Sequence, residues 1–115
     1  VFECDSLDER NWVQDFGGLK DFKEWLEESF DHTIVVAKND PEIAQFKELG
    51  KKGLGKVVIM DAVGSEKFAE EAFKQMTIIL EKHKYFKTSL NPSVRVRSVE
   101  CFEHGANSAG FERCQ

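Results

Sequence analysis

At 115 residues, with 41% hydrophobic and 32% charged side chains, the chain has the length of one domain and an ordinary globular composition. Disordered and low-complexity classes are excluded on that ground, and a net charge of -5 excludes a general nucleic-acid surface, which needs a Lys/Arg excess against phosphate. No run approaches the roughly 18 apolar residues of a membrane span, and no signal-peptide pattern is legible at the N-terminus.

The chain opens Val1-Phe2-Glu3-Cys4 with no initiating Met, as if already inside a strand, so a fragment is one expectation. Residues 1–5 read as a short strand running into the polar turn 5–11, followed by an extended segment from Trp12 to Phe16. After Gly17-Gly18, the residues Leu19, Phe22, Trp25, Leu26 and Phe30 fall at helical spacing, which predicts an amphipathic helix over about 17–30. Thr33–Ala37 is a short apolar run. Pro41 suits the first turn of a small helix over 41–49, with Asp40 as its N-cap. Gly50, Gly53 and Gly55 then break the chain around two lysines, and 56–61 reads as a strand.

From Ser65 a long helix is predicted to about Tyr85, with Phe68, Ala69, Ala72, Phe73, Met76, Ile79, Leu80 and His83 on one stripe. The Asn91-Pro92 turn follows it. The last long strand, about 94–103, slips in its alternation: Val94 and Val96 share one face, Val99 and Cys101 the other. A β-bulge near Arg97–Ser98 reconciles the two phases. Gly105–Ser108 is turn-like, and 109–114 can return as a paired strand. Helices lie between strand pairs, so the expected class is α+β with an antiparallel sheet and the helices at 17–30 and 65–85 on one face.

No generic catalytic or nucleotide motif is present. His32, His83 and His104 have no metal-ligand spacing, and His83, on a helix stripe, reads as a structural or surface histidine. Cys4, Cys101 and Cys114 are an odd number without Cys-x-x-Cys spacing, which indicates neither a disulfide framework nor a zinc ribbon. A reducing cytoplasm is the expected setting.

Four stretches taken in order carry a pattern. Trp12-Val13-Gln14-Asp15-Phe16-Gly17-Gly18-Leu19-Lys20, Phe30-Asp31-His32, Val63-Gly64-Ser65-Glu66-Lys67-Phe68-Ala69, and Val99-Glu100-Cys101-Phe102-Glu103 with Phe111 together span nearly the whole chain. This series resembles the 6-pyruvoyl-tetrahydropterin synthase and 6-carboxytetrahydropterin synthase family. Gly64 stands where that family has threonine, Lys67 where it has asparagine, and His104 where threonine follows the glutamate.

The resemblance implies the tunnelling fold, two strand pairs in one antiparallel sheet with two helices across one face, assembled as a homo-oligomer (trimer or hexamer). It implies a lyase acting on the pterin substrate 7,8-dihydroneopterin triphosphate and a zinc cofactor held by three histidines, with a nucleophilic cysteine close by. Those four positions would lie upstream of Val1, so a subunit with these residues alone is expected neither to bind zinc nor to turn over. Glu103 is the implied anchor for the 2-amino and ring N–H donors of a pterin edge. Glu100 is the rival on the opposite face; Val99 and Cys101 are expected to point with Glu103 toward the covered side. Ser65 and Glu66 are implied ligand contacts at a helix start, with plain capping as the alternative. Asp31 and His32 are the proton-relay candidate, a carboxylate fixing an imidazole that takes a proton; a helix end without catalytic role is the alternative. A binding or assembly protein of the same fold that takes a pterin or purine is the competing function.

Overall fold

The computed structural model describes residues 1–15, 19–86 and 91–114. In chain order its elements are β1 (Phe2–Glu3), α1 (Lys20–Phe30), β2 (Thr33–Ala37), α2 (Ile43–Lys51), β3 (Lys56–Met60), α3 (Ser65–Tyr85), β4 (Arg95–Val96), β5 (Ser98–His104) and β6 (Asn107–Glu112). The helix start expected at 17 lies outside the described residues. The chain divides into two compact units, Val1–Phe22 with Ser65–Gln115, and Lys23–Gly64.

The first unit is organised by α3. Ala69, Ala72, Met76, Ile79 and Leu80 recur every three or four residues and are all buried, as the stripe requires. This helix packs against β4, β5 and β6. Met76 and Leu80 meet the fully buried Val94 and Val96, and Leu19 and Phe22 at the start of α1 join the same cluster. Each such aliphatic side chain contributes on the order of 1.5–3 kcal/mol when fully buried.

The alternation slip falls at Arg97, where the sequence places it. The N–H groups of Arg97 and Ser98 both donate to the carbonyl of Val1, at 2.8 and 3.3 Å. Two residues facing one is the pattern of a β-bulge, and it lets Val94, Val96 and Val99 all reach the core. The ladder therefore divides: β4 pairs antiparallel with β1 (Phe2↔Val96), and β5 pairs antiparallel with β6 (Val99↔Phe111). Arg113 ties the two together, its N–H donating to Arg97 O at 2.8 Å and its Nε to Val96 O at 2.9 Å. β6 starts at Asn107, earlier than expected, because Gly105-Ala106 alone makes the turn. On β4, Arg95 donates to Asp5 Oδ1 and Glu3 Oε1, each at 3.0 Å. Asp5 first, then Glu3, raises the guanidinium's pKa above its ordinary value.

The second unit holds a correction to the sheet. The strands expected at 33–37 and 56–61 are present, but β2 and β3 run parallel, in register from Thr33↔Lys56 to Ala37↔Met60. The segment 38–55, with α2 packed on both strands, is a crossover long enough to bring the chain back in the same direction. Apolar runs identify strands without giving their direction. The α+β class holds, with two antiparallel pairs and this one parallel pair among the described residues. A second correction concerns α2, which begins at Ile43 with Glu42 as N-cap residue and no side-chain cap. Asp40 instead closes the preceding turn: its Oδ1 accepts from Glu42 N–H at 2.8 Å.

Candidate functional site

The end of α1 places Asp31 and His32. Asp31 N–H donates to Glu27 O at 3.1 Å, and the chain then turns at His32 with φ 55°. This left-handed conformation costs an L-residue roughly 1–2 kcal/mol and is the helix-terminating position that glycine usually fills. The turn folds the neighbouring side chains onto each other, with Asp31 Oδ1 2.8 Å from His32 Nδ1. An ionised carboxylate only accepts, so Nδ1 carries the hydrogen and Nε2 of the neutral ring is left to accept a proton. The His32 side chain is 93% exposed and Asp31 64%. An ion pair that exposed adds little stability, so the geometry of the pair comes from the backbone turn that brings the two side chains together.

Ser65 and Glu66 are the first residues of α3, Ser65 half-buried and Glu66 exposed. Helix-start N–H groups lack intrahelical partners, and a carboxylate there is favoured by the helix dipole. Gly64, just before them, has φ 148°, a conformation that favours glycine and accounts for its presence where the resemblance has threonine. Lys67 is engaged along its own helix, with Nζ 3.1 Å from Glu70 and 3.8 Å from Glu71. Hydrogen bonds from Lys67 first, then Lys74, hold the Glu70 carboxyl below its ordinary pKa.

Glu103 is not on the covered side of β5, as alternation from Val99 and Cys101 implies. The register passes from Phe102↔Ser108 to His104↔Asn107, so Glu103 is an extra residue in a second irregularity and its side chain is exposed. A bulged residue leaves the alternation, which is why counting faces from Val99 fails. Glu100, its rival, is also exposed, and its Oε1 accepts a 2.6 Å hydrogen bond from Ser108 Oγ across the hairpin. Among the described residues the Glu103 carboxylate has no hydrogen-bond or ion-pair partner.

The structure thus brings Asp31 to His32 and sets Ser65 beside Glu66. Asp31 and His32 belong to the second unit, and Ser65, Glu66 and Glu103 to the first. Among the described residues no three His, Cys, Asp or Glu side chains are grouped so that they could hold a metal ion. These residues therefore do not fit the zinc that the resemblance implies. No helix among the described residues is long and apolar enough to cross a membrane.

Two residues that position the neighbourhood escaped the sequence reading. Thr33 Oγ1 donates to the Ser29 carbonyl at 2.8 Å, closing the end of α1. Asn91, 3% exposed, donates from Nδ2 to the carbonyls of Ser6 and Val13 at 3.0 and 2.9 Å. The only sequence signal for Asn91 is the Asn-Pro turn, which says nothing of its side chain.

Comparison with known proteins agrees with the four-stretch pattern. The sequence profile of the family described as 6-pyruvoyl tetrahydropterin synthase matches residues 1–114. The chain is 46% identical over 41 residues to 6-carboxy-5,6,7,8-tetrahydropterin synthase of Rickettsia bellii, a match spanning 35% of this chain and 30% of that enzyme's length. In fold it is similar to the crystal structure of an uncharacterized protein from Wolinella succinogenes, with TM-score 0.74, 20% identity, and coverage of 96% of this chain and 72% of the other. A match that runs from the first residue of β1 through β6 leaves one assignment: the chain belongs to the 6-pyruvoyl tetrahydropterin synthase family.

Proposed function

We propose that this chain carries the pterin-binding and proton-relay part of a lyase acting on 7,8-dihydroneopterin triphosphate, of the 6-pyruvoyl- or 6-carboxytetrahydropterin synthase type. The observation that carries the proposal is the 2.8 Å hydrogen bond between Asp31 and His32 within a family-wide match. In this reading Asp31 fixes the imidazole tautomer and stabilises its cation, while His32 Nε2 takes a proton from a thiol or from the pterin side chain. Glu103 accepts from the 2-amino and ring N–H groups of the pterin, and Ser65 and Glu66 bind beside it at the start of α3. Glu100, occupied by Ser108, is the weaker anchor of the two. No step is assigned to zinc.

We further propose that the protein assembles as a homo-oligomer, a trimer or hexamer, and works in the cytoplasm. The two-stranded β2–β3 ladder has outer edges whose N–H and C=O groups a second copy can pair. Sedimentation at micromolar concentration tests this, and a clean monomer counts against it.

A second reading is a non-catalytic pterin- or purine-binding or assembly protein of the same fold. Calorimetric titration with neopterin, with and without zinc, tests the binding common to both. Product formation from 7,8-dihydroneopterin triphosphate separates them: turnover supports the lyase, and binding without turnover in the presence of zinc supports the binder. No binding at millimolar neopterin sinks both.

A further inference from the structure

We infer that Thr33 is a positioning residue for the Asp31–His32 pair, its hydroxyl holding the left-handed turn that lays the imidazole against the carboxylate. This rests on the relay reading of that pair given above.

A non-glycine residue with positive φ persists only where its surroundings over-determine it, because the conformation is intrinsically unfavourable. At His32 the constraint comes from both flanks. On the helical side stands Ser29, buried at 8% exposure, whose carbonyl lies in the last turn of α1. A part-buried carbonyl in the last turn of a helix lies beyond the reach of the helix's own N–H groups, so a donor from outside the helix stabilises it. The Thr33 hydroxyl is a donor at 2.8 Å, reaching back four residues.

On the strand side, Thr33 is the first residue of β2 and is held in register opposite Lys56 of β3. Its hydroxyl therefore joins the helix end to the parallel ladder and closes a loop of which Asp31 and His32 are the middle. Threonine suits this because its branched Cβ restricts χ1, so the hydroxyl is presented without much loss of rotamer freedom. The Asp31–His32 contact is exposed and too weak to set its own geometry, so the turn has to supply it.

The test is nuclear magnetic resonance on the whole chain with labelled histidine. Nitrogen shifts of the His32 ring report which nitrogen carries the hydrogen, and its three-bond amide coupling reports φ. In the wild type, and in Thr33→Ser, the neutral ring should carry its hydrogen on Nδ1 and the coupling should report positive φ. In Thr33→Val, which keeps the branched shape without the hydroxyl, the Nε2–H tautomer should become the majority and the coupling should leave the positive-φ value. Thr33→Ala should behave as valine does and serves as the hydroxyl-free variant if valine does not fold.

An unchanged His32 tautomer and coupling in a folded hydroxyl-free variant overturns the inference, as does an equal change in Thr33→Ser. The relay reading fails separately: if His32→Asn leaves turnover of the pterin substrate intact, the pair is not catalytic, whatever Thr33 does to its geometry.

Discussion

Asn91 Nδ2 donates to the Val13 carbonyl at 2.9 Å, joining residues 78 positions apart in the chain. The same amide donates to Ser6 O at 3.0 Å, while its Oδ1 accepts from Ser93 N–H and Ser93 Oγ at 3.2 and 2.9 Å. This buried side chain, together with Ser93 Oγ, which accepts from the Asp5 and Ser6 N–H groups at 3.2 and 3.4 Å, ties down the segment 5–13 ahead of α1. Asn91→Ala leaves the Val13 carbonyl without this donor, while Ser6 O keeps Ser93 Oγ within reach at 3.4 Å, and should cost about 1–3 kcal/mol in urea unfolding. Asn91→Asp should cost more, because it sets a carboxylate against carbonyl oxygens. Equal stability of wild type and alanine variant would show that the segment holds itself.

His32→Gly separates stability from function. The left-handed conformation costs the histidine roughly 1–2 kcal/mol, while glycine gives back about 0.5–1 kcal/mol through its freer unfolded chain. The net gain should be about 0.5–1 kcal/mol, seen as a higher Tm by calorimetry, together with loss of any proton-relay activity. A less stable glycine variant would mean that the imidazole makes contacts worth more than the strain.

Glu103→Gln should weaken neopterin binding strongly while leaving the fold intact. It replaces one acceptor with a donor facing the ligand's own donors, and two charge-assisted hydrogen bonds contribute on the order of 3 kcal/mol. Glu100→Gln is the matched control and should alter affinity little, since its amide oxygen can still accept from Ser108 Oγ. A larger calorimetric loss at Glu100 than at Glu103 places the anchor on the other carboxylate.

Acid should release the loop before α1. Asp8 Oδ1 accepts from the Trp12 N–H at 2.9 Å and the Arg10 N–H at 2.8 Å, and these bonds, Trp12 first, hold its carboxyl below the ordinary value of 3.8. Because the folded value is the lower one, the stabilisation is fully present above the unfolded pKa and is lost as pH falls through the folded one. The window is therefore below about pH 4. Arg10 stacks over the Trp12 ring at 4.1 Å, so Trp12 fluorescence in a Trp25→Phe background reports the release. Asp8→Asn should abolish that acid transition; its persistence would assign it to another group.

What the sequence determined by itself is local and periodic. The stripe of α3, its bounds at Ser65 and Tyr85, and the bulge at Arg97–Ser98 were all legible because each follows from the spacing of apolar residues along one segment. The family followed from four short stretches in order. Tertiary structure decided the rest. The parallel direction of β2 and β3 depends on where a crossover helix packs, and an apolar run such as Thr33–Ala37 reads the same in either direction. Glu103 left the covered face because the hairpin register changes beside it, which depends on the partner strand and not on its own neighbours. The roles of Thr33 and Asn91 lie in single side-chain hydrogen bonds to main-chain carbonyls, and no pattern of residue types announces which carbonyl a folded chain will leave in need of a donor.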